Sequence, residues 1–440
     1  IVFGDWSSDV CSSDLDAGRL TSITHTNPDT TIITSAGYTL DDIGNRIAKS
    51  GSTAESYSYD ATYRILQAIT PKGYETYSYD SVGNRTTGPG PRDTGYSHDA
   101  ANRMTQGRQY SYSYDNNGNQ TAKNINETKG WPQSWDYENR LIKSERTKGA
   151  EKRTVTFKYD PFGRRIEKKL VTTINGTTST ETTTYVYDNE DIVLELTTIG
   201  STTTKTFYTH GPGIDEPLAM ERSGNYYYYH ADGLGSITAI SDAARTVVQR
   251  YSYSVFGQPR PTTGFRNSYQ YTGREYDKET GLYFYRARYY DPMDGRFIQK
   301  DPIGFEGGDV NLFAYVGNSS PNFADPSGLV PSGERGATGG AGGQNSNNPY
   351  KHCREYNPPD PRFVECRHHQ TGKWIRKPRP AEMPYPDSKK NDACESDCQN
   401  KIATVAVTAT GTYIIYRCIR MAPSLFPPLW PTIPANAAIP

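Results

Sequence analysis

Two short stretches of this 440-residue chain share one pattern: DPIGF starting at Asp301 and DPSGL starting at Asp325, 24 residues apart. In each, Pro restricts the backbone after an aspartate and Gly permits a tight turn. Two carboxylates held close together do not both ionise readily, so one keeps its proton. Such a pair suits hydrolysis: one carboxylate activates water while the other protonates a carbonyl oxygen or a leaving group. Spacing alone also fits a plainer reading, since Asp-Pro and Pro-x-Gly are common turn formers. The elements that position these residues decide between the two.

Those elements repeat. YTLDDIGNR (38–46), YSYDATYRI (57–65), YSYDSVGNR (77–85), YSHDAANRM (96–104), YSYDNNGNQ (112–120), SWDYENRL (134–141) and FKYDPFGRR (157–165) align on an aspartate at 41, 60, 80, 99, 115, 136 and 160. A partial copy, DAGRL, starts at Asp16. Alternation in Tyr-x-Tyr-Asp puts both rings on one face of a strand. Asp-x-x-Gly makes the turn, and Arg with an apolar residue begins the return strand. The expectation is a mainly β chain of hairpins, about twenty residues each, that bury their apolar faces only by stacking. Composition agrees: 34% of residues are hydrophobic, and 35 Tyr supply a thin aromatic wall rather than a thick aliphatic core. The Thr-rich segment 171–206 fits long wall strands.

The pattern resembles the YD-repeat, or Rhs, family over roughly 16–329. From Tyr226 it becomes the Rhs-associated core: YYYYHADGLGSITAISD (226–242), YSYSVFGQP (251–259), YTGREYDKETGLYFYRARYYDPMDGRFIQKDPIGF (271–305) and NLFAYVGNSSPNFADPSGL (311–329). The resemblance implies repeats (16–225) and core (226–329) spiralling into a hollow β-shell. It also implies an Asp301–Asp325 acid–base pair that cuts the chain between Leu329 and Val330. Arg296 in DGRF is a candidate to orient a carboxylate, and Asp309 stands where the family usually has an apolar residue. The implied protein is a bacterial polymorphic toxin, secreted or at the cell surface. Its shell encloses a C-terminal passenger and releases it by self-cleavage. An immunity protein and secretion-machine tip proteins are the partners implied, with type VI secretion the implied delivery route, and no cofactor is implied. The competing reading is an adhesion or carbohydrate-binding shell without toxin activity, as in teneurin-like proteins.

Composition changes after Leu329. From Val330 onward there are 14 Lys and Arg against 9 Asp and Glu, or +5; the whole chain is −1, so residues 1–329 carry −6. Residues 330–348 read as a flexible linker and 349–440 as the passenger, a small mixed extension. Cys353, Cys366, Cys394 and Cys398 with His368 or His369 are a possible zinc set, but the spacing is irregular; disulfides, Cys353–Cys366 among them, suit an exported chain better. Cys418 makes an odd count in this tail. His368, His369, Lys373 and Arg376 allow a metal-assisted nuclease reading, with nucleic acid as target. The apolar run 402–419 allows a membrane target, though Thr content and Arg417 favour a buried element. At the other end, GDWSSDVCSSDL (4–15) matches a translated sequencing-library adapter. Residues 1–15, Cys11 included, are therefore expected to be an artefact on a C-terminal fragment. No signal peptide is read there.

Overall fold

The structure, a computed structural model, describes residues 19–89, 95–126, 129–262 and 264–333, and the backbone of the strands Cys353–Glu355, Phe363–Arg367 and Trp374–Pro378. The adapter-like residues, the linker and most of the tail lie outside these. The chain divides into two units, 1–346 and 347–440, each described by itself.

The first unit is an antiparallel meander. Six strands from Ser22–Thr26 to Gly73–Thr76 form one sheet in sequence order, and fifteen from Ser97–His98 to Val247–Arg250 form another. A short pair, Ser78–Tyr79 with Arg85–Thr87, lies between them in sequence. The expected hairpins are all present. The longest strands, Arg165–Ile174 and Thr177–Asp188, fall in and beside the Thr-rich segment.

Each YD turn is built alike. Asp160 Oδ1 accepts the amides of Phe162 and Arg164, both at 2.9 Å, and Asp160 Oδ2 takes Arg164 Nε at 2.7 Å. Where the fourth residue after Asp is Asn, its amide takes the same oxygen: Asn84 Nδ2 donates to Asp80 Oδ2 at 3.0 Å. The residue before that is left-handed, as in Gly83 (φ 81°) and Asn139 (φ 62°), which explains the Gly or Asn at most of these positions; Tyr63 (φ 66°) adopts it in the Asp60 turn. Turns then link to the next turn. Arg64 Nη1 donates to the Asp80 carbonyl, Arg140 Nη1 to that of Asp160, and Arg164 Nη1 to that of Asn189.

The second Tyr also ties neighbouring repeats. Tyr59 donates its hydroxyl to Arg46 O, Tyr159 to Leu141 O, Tyr187 to Arg165 O and Tyr253 to Ile237 O. A buried hydroxyl without a partner costs about 1–3 kcal/mol, so a single hairpin cannot hold its Tyr inward. Register slips by one residue before many of these turns, for example between Lys158 and Tyr159, adding twist to the wall.

The Tyr-bearing face packs on a four-stranded sheet of the core segment, Glu275–Asp277, Leu282–Tyr285, Arg288–Asp291 and Arg296–Phe297. Tyr283, Tyr285, Tyr290 and Tyr315 are wholly buried there. Buried ion pairs fix this sheet to the wall: Arg165 with Glu275 (2.8 Å) and Asp277 (2.5 Å), Lys168 with Asp277 (2.8 Å), and Lys123 with Asp291 (2.7 Å) and Asp294 (2.8 Å). Among the described residues no helix is long and apolar enough to cross a membrane.

In the second unit, the three described strands form an antiparallel sheet. Its register sets Cys353 opposite Cys366. Cys394, Cys398, Cys418, His368, His369, Lys373 and the run 402–419 lie outside the described residues, as does Cys11.

Candidate active site

Both aspartates of the opening pattern begin turns of the YD kind. The Gly304 amide donates to Asp301 O at 3.0 Å and the Gly328 amide to Asp325 O at 3.2 Å, and both glycines are left-handed (φ 61° and 70°). Asp301 Oδ1 accepts the Ile303 amide at 3.0 Å. Asp325 Oδ1 accepts the Leu329 amide at 3.0 Å. The fourth residue after the aspartate is apolar, Phe305 or Leu329, where the repeats aligned on Asp41 to Asp160 have Arg or Asn. An apolar side chain cannot take the second carboxylate oxygen, so Oδ2 of each aspartate is left for another partner.

That partner is Arg288. Its Nη2 lies 3.0 Å from Asp301 Oδ2 and 3.2 Å from Asp325 Oδ2. The same guanidinium donates from Nε to Gly328 O, and from Nη1 to Leu312 O at 3.3 Å. It stacks on Phe297 with 3.6 Å between the guanidinium carbon and the ring centre. Strand pairing puts it there, because Arg288 opens the strand whose other end, Tyr290 and Asp291, pairs with Arg296–Phe297. All three charged groups are buried, Asp325 to 1% exposure.

The peptide bond after Leu329 lies beside these carboxylates. Asp325 Oδ1 accepts the Val330 amide at 3.1 Å. On the carbonyl side, a Cβ built on Gly307 would sit 2.5 Å from Asp301 Oδ2 and 3.0 Å from Leu329 O. Those two oxygens are therefore no more than 5.5 Å apart, the two distances laid end to end. Ser327 Oγ also contacts Asp325 Oδ1, at 3.2 Å. Burial is the largest influence on Asp301 and, with Asp325 nearby, raises its pKa against the opposing pull of Arg288. Burial likewise raises Asp309, whose Oδ1 accepts the Asn311 amide at 2.8 Å. Desolvation draws Arg288 below the usual arginine range although both aspartates oppose it.

The family resemblance implies that Asp301, Asp325, Leu329 and Val330 act together; in the fold Asp301 and Asp325 share Arg288, and Asp325 accepts the Leu329 and Val330 amides. Arg296 is elsewhere. Its Nη2 donates to Asn102 O at 2.6 Å and its guanidinium stacks on Phe313, so it orients neither aspartate. Arg288 was missed, although one signal was available. A charge inside YFYRARYYD, flanked by buried rings, must find carboxylates or remain a buried unpaired cation. No group of three or more possible metal ligands occurs among the described residues.

Comparison with known proteins identifies the shell and the toxin-like tail. The teneurin YD-shell family model matches residues 39–309, more than half of the chain. A second model, a toxin with a conserved tryptophan and TIP tripeptide motif, matches 358–440, which contains Trp374, Trp430 and the tripeptide Thr432-Ile433-Pro434. The tRNA3(Ser)-specific nuclease WapA of Bacillus spizizenii is 36% identical over 233 residues, covering 51% of this chain and 9% of that protein. The double-stranded DNA deaminase toxin A of Burkholderia cenocepacia is 27% identical over 327 residues, covering 67% of this chain and 22% of that protein. Among solved structures, TcdB2-TccC3 superposes with a TM-score of 0.60 at 22% identity, over 71% of this chain and 18% of that one. The Photorhabdus luminescens Tc holotoxin pore gives 0.60 at 20% identity, over 74% and 18%. These two likenesses speak to fold. The chain spans less than a quarter of the length of each of these relatives.

Proposed function

This chain belongs to the teneurin YD-shell family, with the composition of an Rhs-type polymorphic toxin, and we propose that it hydrolyses its own Leu329–Val330 bond to free a C-terminal toxin. The observation that carries the reading is the Val330 amide on Asp325, with Asp301 on the carbonyl side of the same bond and Arg288 between the carboxylates. Asp301, its pKa raised, holds the proton it gives to Leu329 O. Asp325 takes a proton from the attacking water. The tetrahedral carbon then collapses, and Asp325 passes that proton to the Val330 nitrogen while Asp301 regains its own. The products are a Leu329 carboxylic acid and a Val330 amine. Arg288, hydrogen-bonded to both, keeps the two side chains within reach of each other.

The YD wall would enclose the passenger and keep it apart from the producing cell, with secretion or surface display delivering it. A type VI route, tip proteins and an immunity partner follow from the family in general. The toxin-family match over 358–440 favours this reading over an adhesion or carbohydrate-binding shell. The target of the passenger is nucleic acid if the likeness to WapA and the deaminase toxin extends to it; a membrane is the alternative. Cleavage in water enriched in heavy oxygen tests the chemistry. Hydrolysis places one heavy oxygen on the new Leu329 carboxylate, whereas a cut that leaves that end unlabelled rules out attack by water.

A further inference from the structure

The turn that leads to Leu329 is gripped along its backbone. Three consecutive residues of the core sheet hold three consecutive carbonyls of that turn. Arg286 Nη1 donates to Pro326 O at 2.5 Å, the Ala287 amide to Ser327 O at 3.2 Å, and Arg288 Nε to Gly328 O. The next carbonyl in the series is that of Leu329. Arg286 and Ala287 are the two linking residues of a hairpin whose strands close on the Tyr285–Arg288 pair. Arg286 is left-handed there (φ 53°), a conformation that favours Gly or Asn. An arginine in that place carries backbone strain, and its side-chain contacts are what such strain would be kept for.

The same guanidinium reaches the wall. Its Nη2 lies 2.9 Å from Asp215 Oδ1 and its Nε 3.5 Å from Glu190 Oε2. Both carboxylates sit on connections of the fifteen-stranded sheet. Glu190 joins Thr177–Asp188 to Asp191–Ile199, and Asp215 joins Thr202–His210 to Pro217–Arg222. Asp215 is buried and also pairs with Arg274, so it keeps a cation when Arg286 is removed. A planar guanidinium can serve a carbonyl and a carboxylate at once, which a lysine ammonium at the end of a flexible stem does poorly. Without Asp215 the long side chain regains its rotamer freedom, and its hold on Pro326 O weakens.

We propose that Arg286 is a positioning residue for the cut after Leu329, and that through Asp215 it makes the cut wait until the wall has packed on the core sheet. This rests on the reading of Asp301 and Asp325 given above. Arg286 bears on the backbone of the turn and leaves the proton transfers to the aspartates.

Arg286→Gly in the full chain tests it, because Gly adopts the left-handed conformation without strain and should hold the unfolding midpoint within about 5 °C. Two readouts are needed. With cleavage blocked by Asp301→Asn in both chains, hydrogen exchange of the Leu329 and Val330 amides, read by mass spectrometry, should speed up about tenfold when Arg286→Gly is added. Without the block, Arg286→Gly should slow self-cleavage about tenfold to a hundredfold, the effect of a small misplacement of reacting groups. Arg286→Lys should restore part of that rate. Asp215→Asn should slow cleavage on its own and add nothing to Arg286→Gly. Unchanged exchange or a parent-like rate in Arg286→Gly overturns the proposal, and further slowing by Asp215→Asn on top of it overturns the link to the wall. A parent chain that stays whole counts against the aspartate pair instead, and the exchange measurement then still decides whether Arg286 holds the turn.

Discussion

Val330 donates its amide hydrogen to the carboxylate of Asp325, at 3.1 Å, across the bond that would be cut. A leaving nitrogen is thus already in contact with the group that must protonate it. In the repeat turns with Arg or Asn at the fourth position, that side chain takes the second carboxylate oxygen, as Arg164 takes Asp160 Oδ2 at 2.7 Å.

Restoring the wall-type residue should switch the site off. Phe305 is 73% exposed, so Phe305→Asn should cost little stability. Its amide would take Asp301 Oδ2, as Asn84 takes Asp80 Oδ2 at 3.0 Å, and compete with Arg288. Cleavage should slow by roughly tenfold or more, about what 1.4 kcal/mol in the barrier produces, while the unfolding midpoint stays within a few degrees. A rate equal to the parent would contradict the freed-oxygen explanation.

Arg288→Met should be harsher. It leaves two buried carboxylates facing each other, and removing one partner of a buried ion pair costs about 3–5 kcal/mol. The pKa of Asp301, already raised by burial, should rise further. Measured by denaturant unfolding, stability should fall by that order at neutral pH and partly recover in acid; an equal deficit at both pH values would show that lost packing on Phe297 is the whole effect.

The pH dependence has a definite sign. Asp301 has a raised pKa, so the folded chain holds its proton where the unfolded chain has released it. The associated stabilisation is present on the acid side and is lost as pH rises through the folded pKa. Cleavage needs the same proton, so its rate should fall with rising pH above the ordinary carboxylate range. Rates that climb steadily from pH 5 to 8, a window of about three units around that limb, would assign the acid to another group.

Gly328 is fixed by geometry. Its φ is 70°, and a Cβ would run into the Tyr285 carbonyl oxygen. Gly328→Ala should destabilise by about 1–3 kcal/mol from strain alone and shift Leu329 out of line, abolishing cleavage. Calorimetry together with a gel reads both effects, and full cleavage in a stable variant would show that the turn tolerates the side chain.

Much of this fold was legible because its contacts are local and repeated. The Asp41 to Asp160 series announced the turns, and Tyr-x-Tyr announced the inward face. That Asp301 and Asp325 begin turns was legible for the same reason; their pairing as acid and base was an expectation from the family resemblance. Arg288 was not, since it reaches the site by strand pairing across the core sheet, and no spacing in the sequence encodes that approach. Arg296 misled because DGRF reads as a turn with a free cation; in the fold it points to Asn102 and Phe313. The Cys353–Cys366 expectation sits on a register that sets the two residues opposite each other, a separation compatible with a disulfide.

The central claim is hydrolysis by Asp301 and Asp325, and intact mass with N-terminal sequencing of the parent beside Asp325→Asn tests it most directly. The account predicts that the parent yields a fragment beginning at Val330. The variant should stay whole over the same period, since losing a general acid–base group costs about 10²–10⁴ in rate. A Val330 terminus appearing equally fast in Asp325→Asn, or a folded parent that stays intact, would contradict it.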